Sequence, residues 1–211
     1  MKKIVIQPIK IAPMAKSEYK VNADRFKSFD YPVYYSMSGI IPQFLAPAEE
    51  LKLITVVSSS ETPSVQKTIA ENVKRCHDEF ELDCEQTGSP FNAVDINIPY
   101  DVNNKYFEKM FSQIIGEIEE GSEIFVDCTF GDRFITLFLY SVVQFAEQCL
   151  GCKLNIMTCA KQDYDDSGKP VDGSQVITDI TSVYYLYKII STLHSTDGKK
   201  AIKTVQDFLA L

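Results

Sequence analysis

The segment Ile124–Gln148 constrains the fold more than any other part of the sequence. A short apolar run, Ile124–Val126, ends at Asp127. A polar turn with one glycine follows, and an apolar helix then runs from Phe134 to about Ala146. This order places loop amides and a helix N-terminus at the carboxyl edge of a parallel sheet. Open α/β sheets bind their ligands at that edge, so the turn is the first candidate site.

Strands and helices alternate through the rest of the chain. The expected strands cover residues 3–9, 51–57, 93–98, 124–126, 152–159 and 176–180. The expected helices cover 64–80, 103–119, 134–146, 182–194 and 199–209, with loops at 10–32, 83–92 and 163–173 and a short helix or turn within 34–45. This alternation predicts an α/β fold with a mostly parallel, doubly wound, Rossmann-like sheet. We expect a domain over 1–181 and a C-terminal helical segment over 182–211.

Composition excludes several classes of function. The net charge of −8 and the pI of about 4.8 argue against broad binding to duplex nucleic acid, which needs a basic surface. The longest apolar region, 134–146, is too short to span a bilayer, so no membrane partner is expected. Six scattered cysteines and no recognisable signal peptide indicate a cytoplasmic protein with reduced thiols.

Signatures of several enzyme classes are missing from the sequence. No Gly-x-Gly-x-x-Gly follows the first strand and no phosphate-binding Gly-Lys-Ser/Thr motif is present, so no nucleotide cofactor is expected. His77 and His194 fit neither a metal site nor a catalytic triad, and no metal is expected. Cys149 and Cys152 form a CxxC at the end of a helix, where the dipole would raise a thiol pKa. A redox or zinc role stays open, but two packed cysteines fit the position better.

Each residue of the turn 127–133 suits a ligand site. Gly131 allows a positive φ or close backbone approach, Thr129 offers a hydroxyl, and the amides of 130–133 point to the loop centre. Arg133 can pair with a phosphate or stack on a base. The alternative is structural: Asp132 caps the helix, Gly131 makes the turn, and Arg133 pairs with Asp127 or another acid.

The turn resembles the Asp-x-Thr-His-Gly-x-Arg signature of the CRISPR-associated Rossmann-fold (CARF) sensor domains of type III systems. Asp127, Thr129, Gly131 and Arg133 match it, whereas Phe130 replaces the family histidine. The segments 51–63, 97–129 and 176–190 are more weakly similar to other parts of the family. The first strand, which ends at Gln7-Pro8-Ile9, lacks the glycine or threonine often found there.

The resemblance implies a sensor domain that binds a cyclic oligoadenylate, usually the tetramer, at a two-fold homodimer interface and controls an effector in the same full-length protein. It places ligand residues at the carboxyl ends of the strands: Gln7, Pro8, Ile9, Lys10, Ser58, Ser59, Ser60, Thr62, Thr129, Phe130, Gly131, Asp132, Arg133 and Lys161. A solvated turn at 58–60 and surface positions for Lys10 and Lys161 are the alternatives.

Two other functions stay open. A ring nuclease would cleave the bound oligoadenylate slowly and without metal, by attack of a ribose 2′-hydroxyl on the adjacent phosphate. Arg133, Lys10 or Lys161 would then stabilise the developing charge. A doubly wound domain of another family would bind some other nucleotide at the same edge.

Overall fold

The computed structural model describes residues 2–99, 104–131, 133–167, 169, 171 and 173–209, without the side chains of 99, 104–106, 133, 208 and 209. The chain divides into two compact units, Met1–Thr181 and Ser182–Leu211. No helix in these described ranges is long and apolar enough to cross a membrane.

The first unit is built on a seven-stranded sheet with the order β2-β7-β6-β5-β1-β3-β4. The strands are β1 (Lys3–Pro8), β2 (Lys20–Asn22), β3 (Leu51–Ser59), β4 (Phe91–Pro99), β5 (Glu123–Asp127), β6 (Lys153–Lys161) and β7 (Val176–Asp179). Every neighbouring pair is parallel except β6 and β7. The predicted α/β fold with a mostly parallel, Rossmann-like sheet is therefore confirmed.

Helices of the first unit cover both faces of the sheet. They are α1 (Ser36–Ile40), followed by a 3-10 turn at Ile41–Gln43, α2 (Pro63–Thr87), α3 (Asn104–Glu117) and α4 (Arg133–Cys149). Helices α5 (Thr181–Thr192) and α6 (Gly198–Leu209) follow and, except for Thr181, belong to the second unit. α1 and α2 pack together on one face, and α3 packs with α4 on the other. Because both faces are covered, β1 is buried along its whole length.

A hydrophobic core lies between the sheet and α2. Alternate strand residues such as Val5, Leu53 and Phe125 meet Ile69 and Phe80 of α2 there. Burial of this kind contributes about 1.5–3 kcal/mol per large side chain and stabilises the packing of α2 on the sheet.

Helix α2 is longer than the sequence predicted. The expected end near Phe80 and the loop 83–92 are wrong, because the helix continues to Thr87 and β4 begins at Phe91. Gly88, in the left-handed conformation with φ of 70°, terminates it. The charged stretch 81–85 resembles a loop in composition, but it carries Asp83 and Cys84 into the core. The predicted start at Pro63 is confirmed, although Thr62 makes no side-chain cap.

The segment 10–32, predicted as a loop, contributes a strand. β2 pairs with β7 at the edge of the sheet. Its three residues are only half-buried or exposed, so no periodic pattern marked them. The segment leaves the carboxyl end of β1 and packs along α2 before the chain enters α1.

Asp83 makes the stability of the first unit depend on pH. Its carboxyl is buried with one oxygen unpaired, and desolvation followed by the nearby Glu79 charge raises its pKa to about 8. The folded chain therefore holds a proton that the unfolded chain loses near pH 4, so this residue lowers stability as the pH rises from 4 to 8.

Asp83→Asn is expected to remove this loss because the amide stays neutral. The variant should gain about 1–3 kcal/mol over the wild type at pH 8 and little at pH 4. Urea unfolding at both pH values measures the difference. An equal effect of the substitution at the two pH values would contradict this account.

Candidate functional site

The candidate site lies where the strand order reverses. β1 is flanked by β3 on one side and by β5 on the other. The connections from β1 and β5 leave for opposite faces of the sheet, so the carboxyl ends of these strands border a crevice. The segments 10–12, 60–62 and 128–131 follow β1, β3 and β5 at this edge, and Ser58 lies near the end of β3.

Asp127, the last residue of β5, is fully buried and organises the loop that follows it. Its carboxylate accepts hydrogen bonds from the Thr129 N–H at 2.7 Å and from the Ser36 hydroxyl at 3.0 Å. Burial raises the pKa of Asp127, while hydrogen bonds from Thr129, Ser36 and Gln7 act in the opposite direction. Asp127 therefore holds the loop against α1 and β1 from a fully buried position, and it does not line the cavity described below.

Thr129 ties the same loop to the neighbouring strand. Its hydroxyl oxygen accepts a hydrogen bond from the Ala160 N–H of β6 at 2.8 Å. The Thr129 side chain also bonds to Asp127 and favours its ionised form. One hydroxyl thus joins β5, the loop and β6, which gives the loop a single well-defined position.

Gly131 is required by the backbone of the loop. Its φ is 101°, a value that residues with a side chain rarely adopt. A Cβ atom here would also lie 3.0 Å from Ile135 and 3.3 Å from Pro8. The glycine thus lets the loop pass directly over the end of β1 before α4 begins at Arg133.

Phe130 and Lys10 face each other across the crevice. The Lys10 ammonium lies 5.6 Å from the centroid of the Phe130 ring, within the range of a cation–π interaction. Phe130 packs edge-on against the buried Tyr35, with ring centroids 5.6 Å apart. The Lys10 ammonium is half-buried and poorly solvated, and this desolvation lowers its pKa.

These segments enclose a cavity of about 250 Å³. It is lined by Lys10, Ile11, Ala12, Ser58, Thr129, Phe130 and Gly131. The structure therefore brings together five of the residues predicted from the sequence: Lys10, Ser58, Thr129, Phe130 and Gly131. They come from three different strand ends.

The other predicted residues do not line this cavity. Gln7, Pro8 and Ile9 are buried at the end of β1, and Ser59 donates to the Ile98 carbonyl at 3.1 Å. The Ser60 hydroxyl accepts from the Thr62 N–H at 3.2 Å, in a turn that leads into α2. Lys161 is exposed at the end of β6. Asp132 and the Arg133 side chain lie outside the described residues.

Several residues that shape the site were missed by the sequence analysis. Ile11 and Ala12 line the cavity from a segment without any periodic pattern, and Ser36 reaches Asp127 from a distant helix. Asn72 carried a usable signal. It is a polar residue in helical register with Ile69 and Cys76 on the buried face of α2.

The cysteines and histidines form no second reactive centre near the cavity. All six cysteines are free thiols, and the expectation that both CxxC cysteines are packed is wrong for Cys149, which is exposed. The Cys152 thiol donates to the Glu119 carbonyl at 3.3 Å, and burial raises its pKa, as in a packed, unreactive thiol. His77 of α2 contacts Asp95 of β4 at 3.0 Å, and His194 lies in the second unit. Among the described side chains, no group of three or more His, Cys, Asp or Glu could hold a metal ion.

Comparison with known proteins identifies no family. No family model and no curated protein matches the chain significantly. Among solved structures, the Escherichia coli phosphofructokinase-2 in complex with fructose-6-phosphate is similar, with 11% identity and a TM-score of 0.36. The match covers 79% of this chain and 56% of that one. A similarity at this level carries no inference about what this chain binds.

The Thr129 hydroxyl is expected to be essential for the loop. Thr129→Val keeps the shape but leaves the Ala160 N–H unpaired and removes a donor from Asp127, which should cost about 1–3 kcal/mol of stability. Thr129→Ser keeps the hydroxyl and is the matched control. Urea unfolding of both variants checks this, and equal losses for valine and serine would show that the methyl group, not the hydroxyl, matters.

Proposed function

We propose that this chain is a CARF-type sensor domain that binds a cyclic oligoadenylate, with the tetramer as the expected ring, and controls an effector in the full-length protein. One observation carries the proposal. The loop that contains the signature residues Asp127, Thr129 and Gly131 forms one wall of a cavity at the switch point of the sheet. This is the edge where Rossmann-like sheets place nucleotides.

The charges around the cavity suit a phosphate group. Lys10 is the one cation among the described side chains that line it. The 17-residue helix α4 begins directly after the loop, so its N-terminal dipole adds positive potential at this edge. An anion beside Lys10 would also raise the lowered pKa of its ammonium. Binding of the anion should therefore weaken as the pH rises through that pKa.

The aromatic wall suits an adenine base. Phe130 replaces the imidazole of the family signature with a larger apolar ring, and base–aromatic stacking contributes about 1–3 kcal/mol per base. Tyr35 contacts Phe130 edge-on, which holds the ring in place. In this proposal Lys10 moves from the Phe130 ring to a phosphate when a base stacks there.

The size of the cavity favours a ligand shared between two subunits. Pockets that enclose a whole drug-sized ligand measure roughly 300–1,000 Å³. The cavity of about 250 Å³ is smaller and suits one nucleotide unit of a larger ring. A two-fold dimer presents two identical cavities, which matches the symmetry of a cyclic oligoadenylate.

An apolar surface on α4 supports a dimer with that geometry. Phe134 and Leu137, near the start of α4, are 52% and 66% exposed. Phe107 and Phe138 lie next to them in an aromatic row between α3 and α4. Exposed aromatic and aliphatic side chains in one patch are typical of subunit interfaces. The patch starts where the loop ends, so a contact there would bring two loops close together.

Isothermal titration calorimetry with cyclic tetra-adenylate tests the proposal. Lys10→Met, which keeps the apolar stem but removes the charge, is expected to lower the affinity about tenfold or more, as for loss of a charge-assisted contact. Lys153→Met is the matched control, because Lys153 is an exposed lysine at the opposite edge of the sheet. It should leave the affinity unchanged.

No binding by the wild type, or equal losses for the two lysine variants, would contradict the proposal. The recovered ligand decides between sensing and cleavage. Intact ring supports a sensor, whereas linear products with a 2′,3′-cyclic phosphate would assign the chain a ring nuclease activity instead.

A further inference from the structure

Both walls of the cavity are anchored to one buried residue of α2, through its side chain and its backbone carbonyl. Asn72 lies outside the cavity lining and is fully buried. It nevertheless contacts the segment that carries Lys10 and the tyrosine that holds Phe130.

The cationic wall depends on the Asn72 side-chain amide. Its Nδ2 donates to the Lys10 carbonyl at 2.7 Å and to the Ala12 carbonyl at 2.9 Å. These two carbonyls bracket Ile11, and all three residues line the cavity. These two hydrogen bonds fix the distance between the backbone of residues 10–12 and α2. This distance determines which positions in the cavity the Lys10 ammonium can reach.

The aromatic wall depends on the Asn72 backbone. The Tyr35 hydroxyl donates to the Asn72 carbonyl at 3.2 Å. Tyr35 in turn meets Phe130 edge-on. The position of the Phe130 ring therefore depends on the same residue of α2 as the position of Lys10.

The polar identity of Asn72 is not explained by packing. It occupies the buried face of α2 with Ile69 and Cys76, where an apolar side chain would be expected. Burying an amide is unfavourable unless its hydrogen bonds are made. Both ends of the Asn72 amide are paired, because the nitrogen donates to the wall and the Oδ1 accepts from Arg75 at 3.1 Å. Arg75 also donates to the Met14 carbonyl at 3.3 Å. The amide orientation is therefore fixed, with the donor side toward the wall.

We propose that Asn72 is the positioning residue of this cavity: it sets the separation between the Lys10 ammonium and the Phe130 ring, and thereby the affinity for an anionic nucleotide, without touching the ligand. The inference rests on the proposed function for the class of ligand. The part that concerns the geometry of Lys10 stands independently of it.

Three variants separate positioning from stability. Asn72→Ala removes both donors. Asn72→Ser is smaller than asparagine, keeps one hydroxyl donor and cannot bridge both carbonyls, so it serves if the alanine variant does not fold. Cys76→Ala is the matched control, because it removes packing from the neighbouring, fully buried position of the same helix and leaves the hydrogen bonds of Asn72 in place.

The first readout needs no ligand. Competitive acetylation over a range of pH, followed by peptide mass spectrometry, gives the reactivity of Lys10 relative to Lys153. Burial lowers the pKa of Lys10 in the wild type. The pKa of Lys10 is expected to rise in Asn72→Ala and Asn72→Ser, because its ammonium would be less buried, and to stay in place in Cys76→Ala.

The second readout is the affinity for cyclic tetra-adenylate. Both Asn72 variants should lose about tenfold or more relative to Cys76→Ala. A wild type that does not bind this probe overturns the proposed function, and the Lys10 titration then still decides the role of Asn72. An unchanged Lys10 titration in the Asn72 variants overturns the positioning role, whatever the affinity.

Discussion

The buried carboxylate of Asp127 is the interaction on which the candidate site depends. It ends β5 in the middle of the sheet, where no water competes for its hydrogen bonds, and it binds the Thr129 amide and the Ser36 hydroxyl. A buried carboxyl group of this kind is costly unless its hydrogen bonds are made. The hydrogen bonds that satisfy Asp127 therefore hold the loop in one conformation and also fix α1 against the sheet.

The remaining features of the site follow from a loop held in this way. The Asp127 carboxyl group and the Thr129 hydroxyl are used for internal hydrogen bonds. Thr129, Phe130 and Gly131 form the loop surface that a ligand would meet. The opposite wall comes from a segment with little structure of its own, and side chains of α2 hold it in place. The loop and the anchored segment together enclose a preformed cavity. This cavity carries the Lys10 cation although the chain as a whole has a net charge of −8.

The sequence predicted the frame of this site better than its details. The apolar run before Asp127 and the apolar helix after Arg133 were strong local patterns, and both elements form as expected. Long-range contacts left no such pattern. Ser36 and Asp127 are 91 residues apart, and Asn72 and Lys10 are 62 apart, so only the folded chain brings them together. The extension of α2 to Thr87 was missed because buried Asp83 resembles a loop residue in sequence.

Hydrogen–deuterium exchange with and without cyclic tetra-adenylate tests most directly whether this loop is a ligand-binding edge. Amides are protected when a ligand orders or covers the backbone that carries them. We expect added protection at 127–131 and 10–12, on the two walls of the cavity, and none in the loop 163–167. Binding that protects a different part of the chain and leaves these two segments unchanged would contradict the account.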